Sequence, residues 1–185
     1  DFDNLLAAGS MMGSGGMIVM DEDDCMVSVA RFYLDFTVEE SCGKCSPCRI
    51  GTRRMLEILE KITTGNGEPS DIQDLERLAV AIKSASLCGL GQTAPNPVLS
   101  TLKYFRNEYE EHVNNKVCSC GVCKALTCFY VIPEKCKKCG LCAKKCPVGC
   151  IDGEVGKTEF VIQSEKCIKC GACEEACKFN AIIRK

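Results

Sequence analysis

The sequence predicts an α+β protein: a four-helix bundle followed by a small, internally duplicated, cysteine-rich domain. Two observations carry this. Between residues 25 and 114 apolar residues recur at helical spacing, and from residue 133 a cysteine pattern beginning at Cys136 returns at Cys167, 31 positions later. A third bounds the chemistry. Eighteen of the 185 residues are cysteine, a share that marks a disulfide or metal scaffold rather than an ordinary core.

Residues 1–24 hold the glycine-rich stretch GSMMGSGGMIVM and then the acidic DEDD. No strand precedes the glycines and no Lys-Ser/Thr follows, so a phosphate loop is disfavoured; a loop feeding one short buried strand, Gly16–Met20, is expected. In the first helix Met26, Val29, Ala30, Tyr33 and Phe36 mark a face. In the second, Met55, Leu56, Leu59 and Ile62 do so before a Gly65-Asn66-Gly67 break. The third opens on a capping box, Ser70-x-x-Gln73, and carries Ile72, Leu75, Ala79 and Ile82 on one face. The fourth begins at Asn96-Pro97 and runs Val98, Leu102, Phe105, Tyr109 and Val113. Four amphipathic helices with short connections make an antiparallel bundle spanning 25–114. Residues 115–132 form a cysteine-rich connector, and 133–185 the duplicated unit. Its few large apolar residues cannot form a core alone, so bound metal must hold it together, and it is expected to unfold when that metal is lost.

The duplicated unit reads CKKCGLCAKKCP at 136–147 and CIKCGACEEAC at 167–177. Three cysteines at every third position wrap a tight loop whose thiolates converge on three corners of one cubane. The fourth cysteine of such a run points away and serves the other cluster, as in two-cluster ferredoxins. One 4Fe–4S cluster therefore takes Cys136, Cys139, Cys142 and Cys177, and its twin Cys167, Cys170, Cys173 and Cys146. Zinc sites, by contrast, use separated pairs of C-x2-C. Cys150 stands where the second repeat has Ala181 and is read as a small buried residue.

A third triple, Cys42, Cys45 and Cys48 in ESCGKCSPCRIG, is followed by a distant Cys88 in SASLCGLGQ. The triple lies between the first two helices and Cys88 after the third, and an antiparallel bundle brings those places to one end. A further 4Fe–4S cluster is expected there, with Pro47 starting a helix and Gly89 and Gly91 leaving backbone N–H groups close by. A zinc site of the same layout is the competing reading.

The connector offers Cys118, Cys120, Cys123 and Cys128, with His112, the only histidine, just before and Cys25 a further candidate. Zinc, a 2Fe–2S cluster and unliganded thiols all remain open on the residues alone, and His112 could equally be a cation at a helix C-terminus.

A net charge of −2 removes the electrostatic case for nucleic acid, and no apolar run is long enough for a membrane span. There is no signal peptide and no initiator Met, so the chain reads as a piece of something longer. Such cysteine density suits metal in a reducing, cytoplasmic compartment. Lys137, Lys138, Lys144 and Lys145 are either a docking face for an acidic redox partner or a solvated loop. No catalytic acid–base pair or substrate motif is present, so electron transfer is expected rather than catalysis.

ESCGKCSPCRIGTRR and SLCGLGQTAPNPVLSTLKYFRNEYEEH resemble the C-terminal part of the NADH-binding flavoprotein subunit of respiratory complex I. With the connector and the duplicated unit added, the chain resembles the beta subunit of NAD(P)-linked iron-only hydrogenases, including electron-bifurcating ones. The related subunit of NAD-dependent formate dehydrogenases is the runner-up, and a ferredoxin-like module on a structural metal scaffold is a third reading. The resemblance implies an FMN and NAD(H) site upstream of this segment, with residues 1–24 the tail of a preceding small β domain. It implies that the cluster at Cys42, Cys45, Cys48 and Cys88 accepts electrons first. It also implies exchange with soluble ferredoxin or other subunits of a hydrogenase or dehydrogenase complex. The positions matching its zinc site are Cys25, His112, Cys118 and Cys123, with Cys120 able to replace Cys25.

Overall fold

The computed structural model describes residues 2–13 and 15–184, so Ser14 of the glycine-rich stretch lies outside the described residues. The bundle is built from α2 (Met26–Glu39), α3 (Thr52–Thr63), α4 (Pro69–Ala85) and a fourth limb split into α6 (Asn96–Tyr104) and α7 (Arg106–Glu110). Two short helices flank these, α1 (Phe2–Ala7) and α5 (Gly89–Thr93). Two π-helical turns also belong to the bundle, Pro47–Gly51 leading into α3 and Glu111–Asn115 continuing α7.

Helices α3 and α4 bury the residues that the periodicity marks: Met55, Leu56, Leu59 and Ile62 on one, Ile72, Leu75, Ala79 and Ile82 on the other. After α3, Gly65 turns left-handed at φ 87° while the Asn66 N–H reaches back to the Lys61 carbonyl at 2.9 Å, closing the helix as a glycine at this position does. The α4 capping box sits two residues upstream of the predicted one. Glu68 is the N-cap, and its N–H donates to Asp71 Oδ2 at 2.6 Å. Pro69 takes the first helical position, where its missing N–H costs nothing.

Three expectations are corrected. Helix α2 packs on α3 and α6 through Val27, Ala30 and Leu34, whereas Phe36 of the predicted face is 56% exposed. Apolar residues on both sides of α2, Phe32 and Phe36 among them, blur the stripe. The fourth helix breaks at Phe105 (φ −129°, ψ 34°), whose side chain stands partly outside while Val98, Leu102, Tyr109 and Val113 are buried. Gly16–Met20 forms no strand, and Met17, Ile18 and Val19 are exposed. An isolated strand has no ladder to join, and none pairs with it among the described residues.

The duplicated unit repeats at the level of single backbone angles. Helices α8 (Leu141–Lys145) and α9 (Ala172–Ala176) follow left-handed Gly140 (φ 74°) and Gly171 (φ 78°). Lys138 and Lys169 share φ of 56° and 58°, and Gly149 and Asn180 share 61° and 47°. Strand β1 (Phe129–Val131) pairs antiparallel with β4 (Ile182–Arg184), Tyr130 opposite Ile183. Likewise β2 (Ile151–Asp152) pairs with β3 (Val161–Ile162). Strand β1, upstream of residue 133, thus joins the duplicated unit's pairing. Its small core centres on Phe129, Ile151, Phe160, Ile162 and Ile182.

The two equivalent glycines differ in surroundings. A Cβ on Gly140 would meet Val155 Cγ2 at 2.7 Å, whereas one on Gly171 would meet nothing nearer than Phe129 Cζ at 3.9 Å. Gly171→Ala should therefore destabilise by the left-handed term alone, about 1–2 kcal/mol. Gly140→Ala adds overpacking of about 1–3 kcal/mol. Denaturant midpoints of the two variants check the order.

Candidate metal centres

Four buried side chains meet where α2 begins, α7 ends and the connector folds back. The donor atoms of Cys25, His112, Cys118 and Cys123 all lie within 4.8 Å of one another. Cys25 caps the start of α2 with extended backbone. His112 occupies the π turn, whose extra residue per turn carries both His112 and Val113 into the interior. Left-handed Gly121 (φ 67°) turns the chain between Cys118 and Cys123, its N–H donating to the Cys118 carbonyl at 2.9 Å.

The donor set fits a tetrahedral zinc ion. Zn–S near 2.3 Å and Zn–N near 2.0–2.1 Å require about 3.8 Å between sulfurs and about 3.6 Å from sulfur to nitrogen. Here Cys25 Sγ stands 3.8 Å from Cys123 Sγ and 3.4 Å from His112 Nε2. His112 Nδ1 contacts the Glu108 carbonyl at 2.7 Å, which holds a ring proton on Nδ1 and aims Nε2 at the thiols, where a metal would displace its proton. The Glu108 carboxylate in turn accepts the Met26 N–H at 2.9 Å, fixing α7 against the start of α2. Arg31 Nε is buried with no hydrogen-bond partner among the described residues, and the Arg31 charge acts to lower Cys123. One such cation balances the net single negative charge of three thiolates on a divalent ion.

Protonation agrees with this fit. Burial pulls His112 down, but hydrogen bonds with Cys118 and Cys25 outweigh it and push the imidazole to about 10. Contact with Cys118 pushes Cys123 to about 12. Cys118 is held far below the ordinary thiol range by Cys123 and Cys25. An unmetallated set of this kind holds protons that a metal must displace. Cys120 is not part of the quartet; its Sγ lies 3.5 Å from the Asp24 carbonyl and burial raises it to about 11.

At the other end of the bundle, Cys42, Cys45 and Cys48 approach the loop of Cys88. Backbone hydrogen bonds from Leu87 and Cys48 hold the Cys45 thiol below its usual range. Helix α5 starts immediately after Cys88, and a Cβ on Gly91 would stand 2.6 Å from Ser86 Cβ and 3.1 Å from Cys48 Cβ, so glycine suits this position. Gly89 has open space around it. Cys48 sits in the first π turn and is buried, whereas Cys42 and Cys88 are exposed.

In the duplicated unit two small apolar cavities close over the cysteines. One is lined by Cys136, Cys139, Cys142 and Cys177, with Phe160 and Ile182. The other is lined by Cys146, Cys167, Cys170 and Cys173, with Cys150 and Phe129. Each cavity thus takes three cysteines from one repeat and one from the other. The N–H groups of Cys150 and Ala181 donate to Cys146 Sγ and Cys177 Sγ at 3.4 and 3.3 Å. Burial raises Cys173 to about 11. Lys138 folds back toward Glu159, 3.8 Å away, while Lys137, Lys144 and Lys145 are exposed.

Comparison with known proteins accords with these groupings. Residues 28–112 match the NADH-ubiquinone oxidoreductase-F iron–sulfur binding region, and residues 135–181 match the 4Fe–4S dicluster domain. The chain is an iron–sulfur electron-relay segment related to NADH-linked oxidoreductases and hydrogenases. The NADP-reducing hydrogenase subunit HndC of Solidesulfovibrio fructosivorans is 58% identical over 153 residues, covering 83% of this chain and 31% of that protein. The matching NADH-quinone oxidoreductase subunit of Streptomyces coelicolor is 42% identical over 118 residues, covering 64% and 26%. The crystal structure of an NAD+-reducing NiFe-hydrogenase in the H2-reduced state superposes with a TM-score of 0.50 at 34% identity, over 52% of this chain and 17% of that one. The chain spans less than a third of the length of these relatives. No helix among the described residues is long and apolar enough to cross a membrane.

Because the quartet must shed protons to take a cation, zinc should be released as pH falls from about 8 to about 5, followed with a chromophoric chelator. Cys25→Ala should weaken zinc by more than the roughly 10–100-fold that an outer-shell loss costs, and Cys120→Ala should leave its stoichiometry unchanged.

Proposed function

We propose that the segment carries single electrons between an upstream FMN and NAD(H) site and partner subunits of a hydrogenase or dehydrogenase complex, with soluble ferredoxin as a further partner. The observation that carries this reading is the pair of apolar cavities, each lined by three cysteines of one repeat and the fourth of the other. Bound there as 4Fe–4S clusters, the cofactors would each cycle by one electron. The protein's work is to bind, to orient backbone N–H donors at the ligand sulfurs, and to exclude water with Phe160, Phe129 and Ile182.

In this reading Cys136, Cys139, Cys142 and Cys177 hold one cluster and Cys167, Cys170, Cys173 and Cys146 the second. Cys42, Cys45, Cys48 and Cys88 hold the third at the bundle end. Among the described residues only the Cys25–His112–Cys118–Cys123 quartet is drawn within the span of a single ion. That favours zinc there and a wider, multinuclear cofactor at the three remaining sets. The hydrogenase of this reading is the NAD(P)-linked iron-only kind in the cytoplasm, with residues 1–24 the tail of a preceding small β domain. Its support is the run of motifs from Cys42 to Cys177 in one chain, together with the long match to a hydrogenase subunit.

Anaerobically prepared protein should contain about twelve iron, twelve acid-labile sulfide and one zinc per chain. Cys88→Ala should remove about four iron and one reduced-state EPR signal, leaving the other two. Eight iron with two zinc in the unaltered protein would instead make the bundle site a zinc staple. Cys177→Ser should damage the cluster of Cys136 while sparing that of Cys167; the opposite loss would refute the crossed ligation.

A further inference from the structure

The two halves of the duplicated unit share helix positions, left-handed residues and sulfur-directed N–H groups, yet one buried side chain inside the cavities breaks the match. Cys150, 2% exposed, stands in one half where Ala181, equally buried, stands in the other. The backbone bond at each position is the same, N–H to the sulfur four residues earlier, at 3.4 and 3.3 Å. Only Cys150 adds a second contact, its Sγ lying 3.4 Å from Cys146 Sγ. Cys150 lines the cavity of Cys146, Cys167, Cys170 and Cys173, and Ala181 lines its counterpart.

That cavity therefore holds five thiols for four ligand positions. An unligated thiol carries its proton at neutral pH, and a sulfur bound to iron is an acceptor. The S–H of Cys150 then points its proton at Cys146. Hydrogen bonds to cluster sulfurs are among the factors that set the potential, and they favour the reduced, more negative state.

We propose that Cys150 is a positioning residue whose S–H bonds to Cys146 and makes the site of Cys146, Cys167, Cys170 and Cys173 easier to reduce than it would be with alanine at that position. The inference rests on the reading that both cavities hold 4Fe–4S clusters. It gives one half of the near-symmetric pair a hydrogen bond that the other half lacks. No bond to iron is made or broken, and the thiol proton stays on Cys150 throughout.

The test is an EPR-monitored redox titration of the iron-loaded chain with iron counted per chain, for the unaltered protein, Cys150→Ala and Ala181→Cys. Cys150→Ala should lower one midpoint and leave the others and the iron content unchanged. The expected drop is a threefold or greater change in the reduced-to-oxidised ratio, about 28 mV at 59 mV per decade for one electron. Ala181→Cys should raise the midpoint of the other cavity's cluster. Unmoved midpoints at full iron content would overturn the inference. So would loss of about four iron in both Cys150→Ala and Cys150→Ser, which would make Cys150 a ligand. Should Cys150→Ala fail to assemble, an unmoved midpoint in Ala181→Cys overturns it alone. Iron below eight in the unaltered protein would sink the cluster reading itself and is told apart by the count.

Discussion

Convergence of sulfur on points the chain must wrap around is the constraint on which the rest depends. At the quartet, three thiols and one imidazole join the start of α2, the π turn after α7 and both ends of a short loop. The surrounding polar groups serve this junction. Glu108 touches both partners, through its carbonyl to His112 and its carboxylate to Met26, and Arg31 lends a charge. In the duplicated unit the same constraint acts twice. Lys138 and Lys169 both accept a left-handed backbone that non-glycine residues avoid, at the same place in each cysteine loop.

Legibility followed the degree to which one face of an element decides its burial. Helices α3 and α4 alternate apolar and charged residues sharply, and their buried sets are those that the periodicity marks. Helix α2 carries aromatic residues on two sides, so its stripe pointed partly to solvent. The run Gly16–Met20 is apolar enough to suggest a buried strand, but burial needs a second surface, which composition cannot supply. Neither π turn leaves a mark in hydropathy, yet each holds a metal-ligand candidate, Cys48 in one and His112 in the other.

In the duplicated unit the repeat spacing shows in the paired left-handed residues and in cavities that each draw three cysteines from one repeat and one from the other. The quartet was less legible. Cys25 is separated from its companions by most of the bundle, and nearness in sequence favours Cys120; resemblance to a known family supplied the pairing that periodicity could not. In the folded chain Cys25 is 1% exposed and lies with the other three donors, whereas Cys120 is half-buried and turned toward a carbonyl. The mismatch of Cys150 against Ala181, one of several between the repeats, was visible as letters. Its contact with Cys146 was not.

Helix α2 also separates two kinds of damage. Its 14 residues rise about 21 Å from Cys25 at one end toward the triple that begins with Cys42 at the other. The end carrying Cys42 and Cys88 is open to solvent, where oxidants have access, while the quartet is sealed. In the proposed reading air would strip a cofactor at the open end before it reaches a metal at the buried one, leaving the bundle pinned at its far corner.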